Sequence, residues 1–268
     1  MQETIHVSVV SHGQGALVRR VLADLAADVE RTPVHVTLTL NVPERLPFDP
    51  AEFPFPVVVL ENQRPAGFAA NHNAAFEAHA ARCGCRAFCV VNPDARVGPD
   101  VLFRLAARLE GQTGVGVVAP LVQDADGRLQ DSARKLPTPA TIAAKALGWR
   151  ARPGGSAAHD GQPDWVAGMF MLFARVAFAA VGGFDERYFL YYEDVDICCR
   201  LRLAGYDVVL DRTLRITHDG AWKSHHDLQH LRWHLASMLR FFASATYLRS
   251  LRRALVRNAP RAAMRAER

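Results

Sequence analysis

Glu193, Asp194 and Asp196 place three acids within four positions, and they carry the strongest chemical signal in the chain. They close residues 182–197, a stretch with five acids, five aromatics and a double glycine. A helix start accommodates negative charge, because its free N–H groups and its dipole favour anions. Helix stability alone does not account for Tyr188, Phe189, Tyr191 and Tyr192, an aromatic wall set directly against the acids. A carboxyl group held beside apolar rings is a candidate general base with a tunable pKa. Asp194, Ile197, Cys198 and Leu201 follow i, i+3, i+4, i+7 spacing, which sets Asp194 at the top of an apolar stripe. On the same register Asp196 and Arg200 read as a surface ion pair, and Glu193 points elsewhere, to cap the helix or orient a neighbour. The competing reading is three solvated acids opening a helix.

A second polar cluster, Asn92-Pro93-Asp94, follows the apolar run 87–91. In open α/β sheets, ligands bind at the carboxyl ends of strands. Pro93 stops the strand and presents Asp94 from a tight turn, where an aspartate often serves only its own backbone. His218 ends another short strand, 214–217. One carboxylate and one imidazole, completed by phosphate oxygens, suit Mn²⁺ or Mg²⁺ bridging a diphosphate. Spacing leaves open whether the two side chains meet. His225, His226, His230 and His234 read as surface or packing residues, the last two an i, i+4 pair open to adventitious metal. Cys83, Cys85 and Cys89 with His79 loosely suggest zinc, but the spacing fits no standard pair of knuckles. Five cysteines, an odd count, argue against a disulfide framework.

For these groups to converge, strand ends must lie side by side. Residues 5–10 are β-branched, are bounded by Ser11-His12-Gly13 and read as a buried strand. Val18, Val21, Leu22, Leu25 and Val29 predict a helix. Further strands are expected over 34–40, 57–60, 87–91 and 115–119. Helices are expected over 67–81 and, opened by Pro99, through Leu109. Such alternation predicts a mostly parallel sheet covered on both faces. Beyond 120 come a turn at 124–127, a proline- and glycine-rich loop over 137–161 with one short helix, apolar strand character over 166–174, and the acidic helix. Residues 228–247 predict an amphipathic helix.

The 268 residues, 50 % hydrophobic and 22 % charged, suffice for one large domain or one and a half. No run of about 18 apolar residues predicts a membrane span. The N-terminus lacks a signal-peptide pattern, so a cytoplasmic location is expected. Residues 249–268 hold seven arginines and one glutamate, a net of +6 within a total of +5, so the body is nearly neutral. That tail is either solvated or, beside an amphipathic helix, docked on the inner face of the cell membrane. It lacks interleaved aromatics, which argues against nucleic acid as a partner. The expected divisions are a catalytic unit over 1–222 and an amphipathic helix with basic tail over 223–268.

Over about residues 5–245 the chain resembles the family 2 glycosyltransferases of the GT-A fold, especially the bacterial rhamnosyltransferase-like members. The resemblance rests on Asn92-Pro93-Asp94-Ala95, Asp164-Trp165-Val166-Ala167-Gly168, Val181-Gly182-Gly183-Phe184-Asp185-Glu186, Tyr192-Glu193-Asp194-Val195-Asp196, His218, and Gly67-Phe68-Ala69-Ala70-Asn71-His72-Asn73, in that family's order. It implies an α/β, Rossmann-like, mostly parallel central sheet flanked by helices, with a C-terminal helical extension. It also implies inverting transfer from a nucleoside diphosphate sugar to a hydroxyl of a glycan or lipid-linked acceptor, in cell-surface polysaccharide synthesis.

By the same resemblance Asp194 matches the catalytic base, with Glu193 beside it. Asp94 matches the last acid of a metal signature, and His218 the histidine that helps hold a divalent cation, Mn²⁺ or Mg²⁺. Asn92 stands where an acid is common. The donor falls to Ser11, Asn41, Asn62, Gly67, Asn71, Asn92 and Asp94, and the acceptor to Trp165 and Gly168. Leu40 replaces the family's base-reading aspartate, which shifts that task to Glu61 or Asn62. Arg134 and Lys135 either meet phosphate or are solvated. A non-catalytic binding subunit of the same fold is the alternative. A sugar nucleotidyltransferase is disfavoured, because residues 11–15 supply no cation for a triphosphate.

Overall fold

The computed structural model describes residues 4–80, 84–146, 162–218 and 228–258. The first half alternates as expected: β1 (Ile5–Ser11), α1 (Gly15–Ala26), β2 (Val34–Leu40), β3 (Val57–Glu61), α2 (Phe68–Ala80), β4 (Ala87–Val91), β5 (Ala95–Arg96), α3 (Val101–Glu110) and β6 (Val115–Gln123). The second half holds β7 (Ala133–Arg134), α4 (Pro139–Ala146), β8 (Trp165–Val166), β9 (Phe170–Ala174), α5 (Arg175–Ala180), α6 (Glu193–Leu203), β10 (Asp207–His218), α7 (Leu228–Phe242) and α8 (Ala245–Asn258).

Eight strands form one sheet in the order β3-β2-β1-β4-β9-β6-β10-β5. β1 runs parallel to β2 and β4, β2 to β3, and β6 to β10, whereas β9 and β5 are antiparallel to their neighbours. The period-2 alternation of strand side chains divides the core between the two faces. Ile5, Val7, Val9, Cys89 and Val91 pack with Val21 and Leu22 of α1 and Leu105 of α3. Phe88, Val90, Met171 and Phe173 pack on the other face with Phe178 of α5 and Ile197 and Leu201 of α6. Phe241 of α7 and Tyr247 of α8 belong to that second cluster, so the C-terminal helices share the core of the sheet.

Several expectations change. α3 starts at Val101, not at Pro99: Asp100 is left-handed at φ 64°, and its N–H is taken by Asp28 Oδ2 at 2.8 Å. The apolar run 166–174 splits, because β8 pairs with β7 in a separate ribbon while β9 inserts between β4 and β6. The short strand at 214–217 is the end of the longer β10. The C-terminal helix breaks after Phe242, where Ser244 Oγ accepts the Tyr247 N–H at 3.0 Å and caps α8. Residues 249–258 thus continue a helix instead of forming a tail. The remainder of the loop expected over 137–161, from 147 onward, lies outside the described residues, as do Cys83, His225 and His226. Cys85 is disulfide-bonded and Cys89 is a free thiol buried in β4, so neither offers a sulfur to zinc.

The Asp196–Arg200 pair is not on the surface. Asp196 is 2 % exposed and Arg200 22 %, with Nε 2.6 Å from the carboxylate. Arg200 Nη1 also donates to the carbonyls of Val181 (2.6 Å) and Gly183 (2.7 Å), clamping the double-glycine turn onto α6. Removing one member of a buried ion pair leaves the other desolvated and unpaired, at a cost of about 3–5 kcal/mol. Arg200→Ala should therefore lower unfolding stability in urea by about that amount, and Arg200→Lys should recover only part of it, lacking the planar fork. A loss below about 1 kcal/mol, the size of an exposed pair, would refute the clamp.

Candidate active site

The site grows from the place where the sheet changes its winding. Chain order runs outward from β1 through β2 to β3, then places β4 on the other side of β1. Such a reversal opens a crevice beyond the carboxyl ends of the strands. A cleft of about 1650 Å³ occupies that position, with Val10 and His12 from the end of β1 and Val91, Asn92 and Asp94 from the end of β4 in its wall. A single small-molecule pocket spans about 300–1,000 Å³. The cleft is larger than one small ligand requires.

One end of the cleft is built from neutral amides. Asn62 Nδ2 donates to Asn41 Oδ1 at 2.8 Å and Asn71 Oδ1 at 2.7 Å. Asn41 in turn accepts the Ala66 N–H and donates to the Ala66 carbonyl. The ends of β2 and β3 and the start of α2 are thereby locked together without charge. Gly67 is needed beside them, because a Cβ there would lie 2.6 Å from the Phe189 carbonyl oxygen. The Phe68 N–H donates to that same oxygen at 2.8 Å, tying α2 to the segment that carries the acids. His72 shares a 2.8 Å hydrogen bond with Ser8 Oγ, and burial pulls its pKa down to about 3, so the ring is neutral.

The middle of the cleft joins Asp94 to His218. β5 pairs antiparallel with the end of β10, setting Ala95 opposite His218. His218 Nε2 then lies 3.1 Å from Asp94 Oδ1, and Asn92 Nδ2 is 3.5 Å from the same ring nitrogen. His218 Nδ1 is buried without a hydrogen-bond partner among the described residues. No group of three His, Cys, Asp or Glu side chains forms a metal cage among those residues. A carboxylate oxygen and an imidazole nitrogen would suit a divalent cation only as part of a shell completed by further oxygens.

Glu193 and Asp194 line the same cleft as Asp94. Tyr191 and Tyr192 are both left-handed, at φ 71° and 68°. Each such non-glycine residue costs on the order of 1–3 kcal/mol. Their turn starts α6 with Glu193 and Asp194 in the cleft wall. Asp194 Oδ2 accepts the Gly168 N–H at 3.1 Å, and Oδ1 its neighbour Val195 N–H at 2.8 Å. Glu193 is 4 % exposed, and its Oε2 has no partner among the described residues. Burial, reinforced by the Asp194 charge, holds the Glu193 carboxyl well above the usual range. Burial also raises Asp194, but the two N–H donors and the Arg134 charge oppose the rise. Environment thus treats two adjacent carboxyls differently: burial raises both, but the N–H donors and the Arg134 charge oppose the rise at Asp194, whereas the Asp194 charge adds to it at Glu193.

α7 supplies a wall that the sequence reading assigned to surface or packing. His230, Trp233 and His234 line the cleft. Trp233 packs on Phe189 with ring centres 4.7 Å apart, and His230 Nδ1 lies 3.0 Å from the Tyr191 hydroxyl. Helical spacing was the available signal, since these residues fall on the side of the buried Ser237 and Phe241. Opposite them the β7–β8 pairing lays Arg134 over the Trp165 ring at 5.3 Å, while Lys135 donates to the Gln162 carbonyl.

Asn41, Asn71, Asn92, Asp94, Trp165, Gly168, Glu193 and Asp194 therefore line one cleft. Ser11, Asn62 and Gly67 stand behind its wall: Ser11 Oγ accepts the Gln14 N–H ahead of α1, Asn62 braces the amides, and Gly67 permits close packing. His218 meets the cleft through Asp94. Tyr188 is buried in the core, which leaves Phe189, Tyr191 and Tyr192 as the aromatic wall. Glu61 is exposed at the end of the edge strand β3.

No protein-family model matches the chain. It is 31 % identical over 265 residues to N-acetylglucosaminyl-diphospho-decaprenol L-rhamnosyltransferase of Mycobacterium tuberculosis, covering 91 % of this chain and 85 % of that protein. It is 34 % identical over 162 residues to rhamnosyltransferase WbbL of Escherichia coli, covering 57 % and 60 % respectively. Among solved structures, the mannosyltransferase PcManGT from Pyrobaculum calidifontis, in complex with GDP-Man and Mn²⁺, matches with a TM-score of 0.60 at 16 % identity, over 98 % of this chain and 78 % of that one.

The raised Glu193 pKa has a thermodynamic sign. The folded chain holds a proton that an unfolded glutamate releases above about pH 4.3, so this group's contribution to stability falls as pH rises through that value toward the folded-state pKa. Glu193→Gln should melt higher than wild type at neutral pH, with the gap closing near pH 4. Parallel melting-temperature profiles would show that Glu193 is ionised in the fold.

Proposed function

Because the chain belongs to the rhamnosyltransferase-like family 2 glycosyltransferases of the GT-A fold, we propose that it moves a sugar, rhamnose on the example of its relatives, from a nucleoside diphosphate to a hydroxyl of a lipid-linked saccharide acceptor. The observation that carries this reading is the shared cleft, with Asp94 and its His218 partner at the carboxyl end of β4 and Asp194 at the start of α6. The nucleotide would lie against His12, Asn41 and Asn71, and its diphosphate against Asn92 and Asp94. Asp94 and His218 would hold a divalent cation, which when bound acts as a Lewis acid on the departing diphosphate.

The acceptor would occupy the side bounded by Trp165, Trp233 and the ring wall. Its hydroxyl gives its proton to Asp194 as the oxygen bonds to the anomeric carbon from the face opposite the diphosphate. The carbon–oxygen bond to the diphosphate breaks, its electron pair leaves with the diphosphate, and the configuration inverts. The Gly168 and Val195 N–H groups fix the carboxylate that receives the proton. Glu193, whose carboxyl burial and the Asp194 charge hold well above the usual range, leaves Asp194 the better placed of the pair to act as base. None of the described helices is long and apolar enough to cross a membrane, so the acceptor's lipid would be met at the surface, through the C-terminal helices.

Asp194→Asn should keep nucleotide binding and lose about 10²–10⁴-fold in transfer rate, the usual contribution of a general base. Asp94→Ala should instead weaken Mn²⁺-dependent binding of the nucleoside diphosphate in calorimetry. Transfer that survives Asp194→Asn would remove Asp194 from the role of base. Activity should also fall on acidification at a pH above the ordinary carboxylate range, because burial raises the pKa of Asp194.

A further inference from the structure

α7 has two faces with different company. His230, Trp233 and His234 line the cleft, and Ser237 and Phe241 are buried against the body. Leu228, Leu231, Leu235 and Leu239 follow i, i+3, i+7, i+11 spacing and form one stripe on the opposite side. All four stand in solvent, exposed by 77, 54, 44 and 66 %. α8 adds Leu248, Leu255 and Val256, at 60, 64 and 71 %. Large exposed apolar side chains are thus concentrated on two adjoining helices, and a patch of that kind marks an interaction surface.

The charge beside it is of one sign. Arg232, Arg240, Arg249 and Arg252 are exposed, and residues 228–258 contain six arginines and no acid. A leucine stripe bordered by arginines suits a surface that is apolar below and anionic above. We infer that α7 and α8 dock on an anionic lipid bilayer, with the leucines at the acyl boundary and the arginines among the headgroup phosphates. α7 is then both a wall of the catalytic cleft and the membrane-facing element. This rests on the proposed transfer to a lipid-linked acceptor, whose sugar hydroxyl would reach Asp194 along α7 while its lipid stays in the bilayer.

The full-length chain can be floated through a density gradient with phosphatidylcholine vesicles, with and without phosphatidylglycerol. It should float only with phosphatidylglycerol and be released by high salt. The double variant Leu231→Gln, Leu239→Gln should reduce the bound fraction about tenfold or more. Arg249→Glu with Arg252→Glu should abolish the dependence on anionic lipid. Both variants should keep the wild-type circular dichroism spectrum and wild-type transfer to a short-chain acceptor dispersed in detergent. Wild-type chain remaining at the bottom of the gradient overturns the inference, as does a leucine variant that floats like wild type. A solution dimer dissociated by the leucine substitutions also overturns it, since a second copy would then cover this face. Wild-type chain that floats but transfers nothing to the dispersed acceptor removes the transfer reading and leaves the docking intact.

Discussion

Three carboxyl groups within one helical turn, each withdrawn from water to a different degree, set the constraint around which this structure is arranged. Asp196 is tolerated because Arg200 pairs with it through Nε and donates from Nη1 to the Val181 and Gly183 carbonyls. Asp194 is tolerated because two backbone N–H groups and the start of a helix meet its oxygens. Glu193 has no counter-cation, and burial beside the Asp194 charge holds its carboxyl well above the usual range. The same turn that buries the acids also aims them. Two left-handed tyrosines precede α6, and Asn73 grips both the N–H and the carbonyl of Phe184 upstream. Strain at residues 191 and 192 persists because both ends of the segment are held.

The chemistry of the site was legible where it depends on local sequence. The acids at 193–196, the Asn92-Pro93-Asp94 turn and the alternation of strands and helices all read directly, and the observed sheet places them as that alternation requires. What the sequence concealed was mostly a matter of pairing. His218 reaches Asp94 because two residues, Ala95 and Arg96, form a strand against the end of β10, and a strand so short leaves no periodic signal. Asp196 looked like half of a surface pair because i, i+4 spacing says nothing about what packs over a helix. The role of α7 was hidden for a related reason. Its leucines do not face the core: they point outward, while histidines, a tryptophan, a serine and Phe241 face inward. A reading that sends leucines inward inverts this helix.

Architecture and chemistry meet at the edges of elements rather than within them. β1, β2, β3 and β4 end, respectively, before His12, Asn41, Asn62 and Asn92, and the first three of these termini share hydrogen bonds through Asn41. α2 joins the network through Asn71 and the acid-bearing segment through the Gly67 contact with Phe189. A disturbance at the amide end of the cleft therefore has a continuous covalent and hydrogen-bonded route to the ring wall beside Asp194.

The asparagine lattice at that end has a thermodynamic consequence of its own. Amides do not titrate over the biological range, and their dipoles are screened little by mobile ions, whereas an aspartate in the same place would respond to both acidity and ionic strength. In the proposed reading, Asn41 and Asn71 would then offer the nucleotide contacts indifferent to electrolyte and proton activity. The pyrophosphate beside Asp94 would respond to both variables, so one bound molecule would be held by two grips that answer to different properties of the surrounding solution.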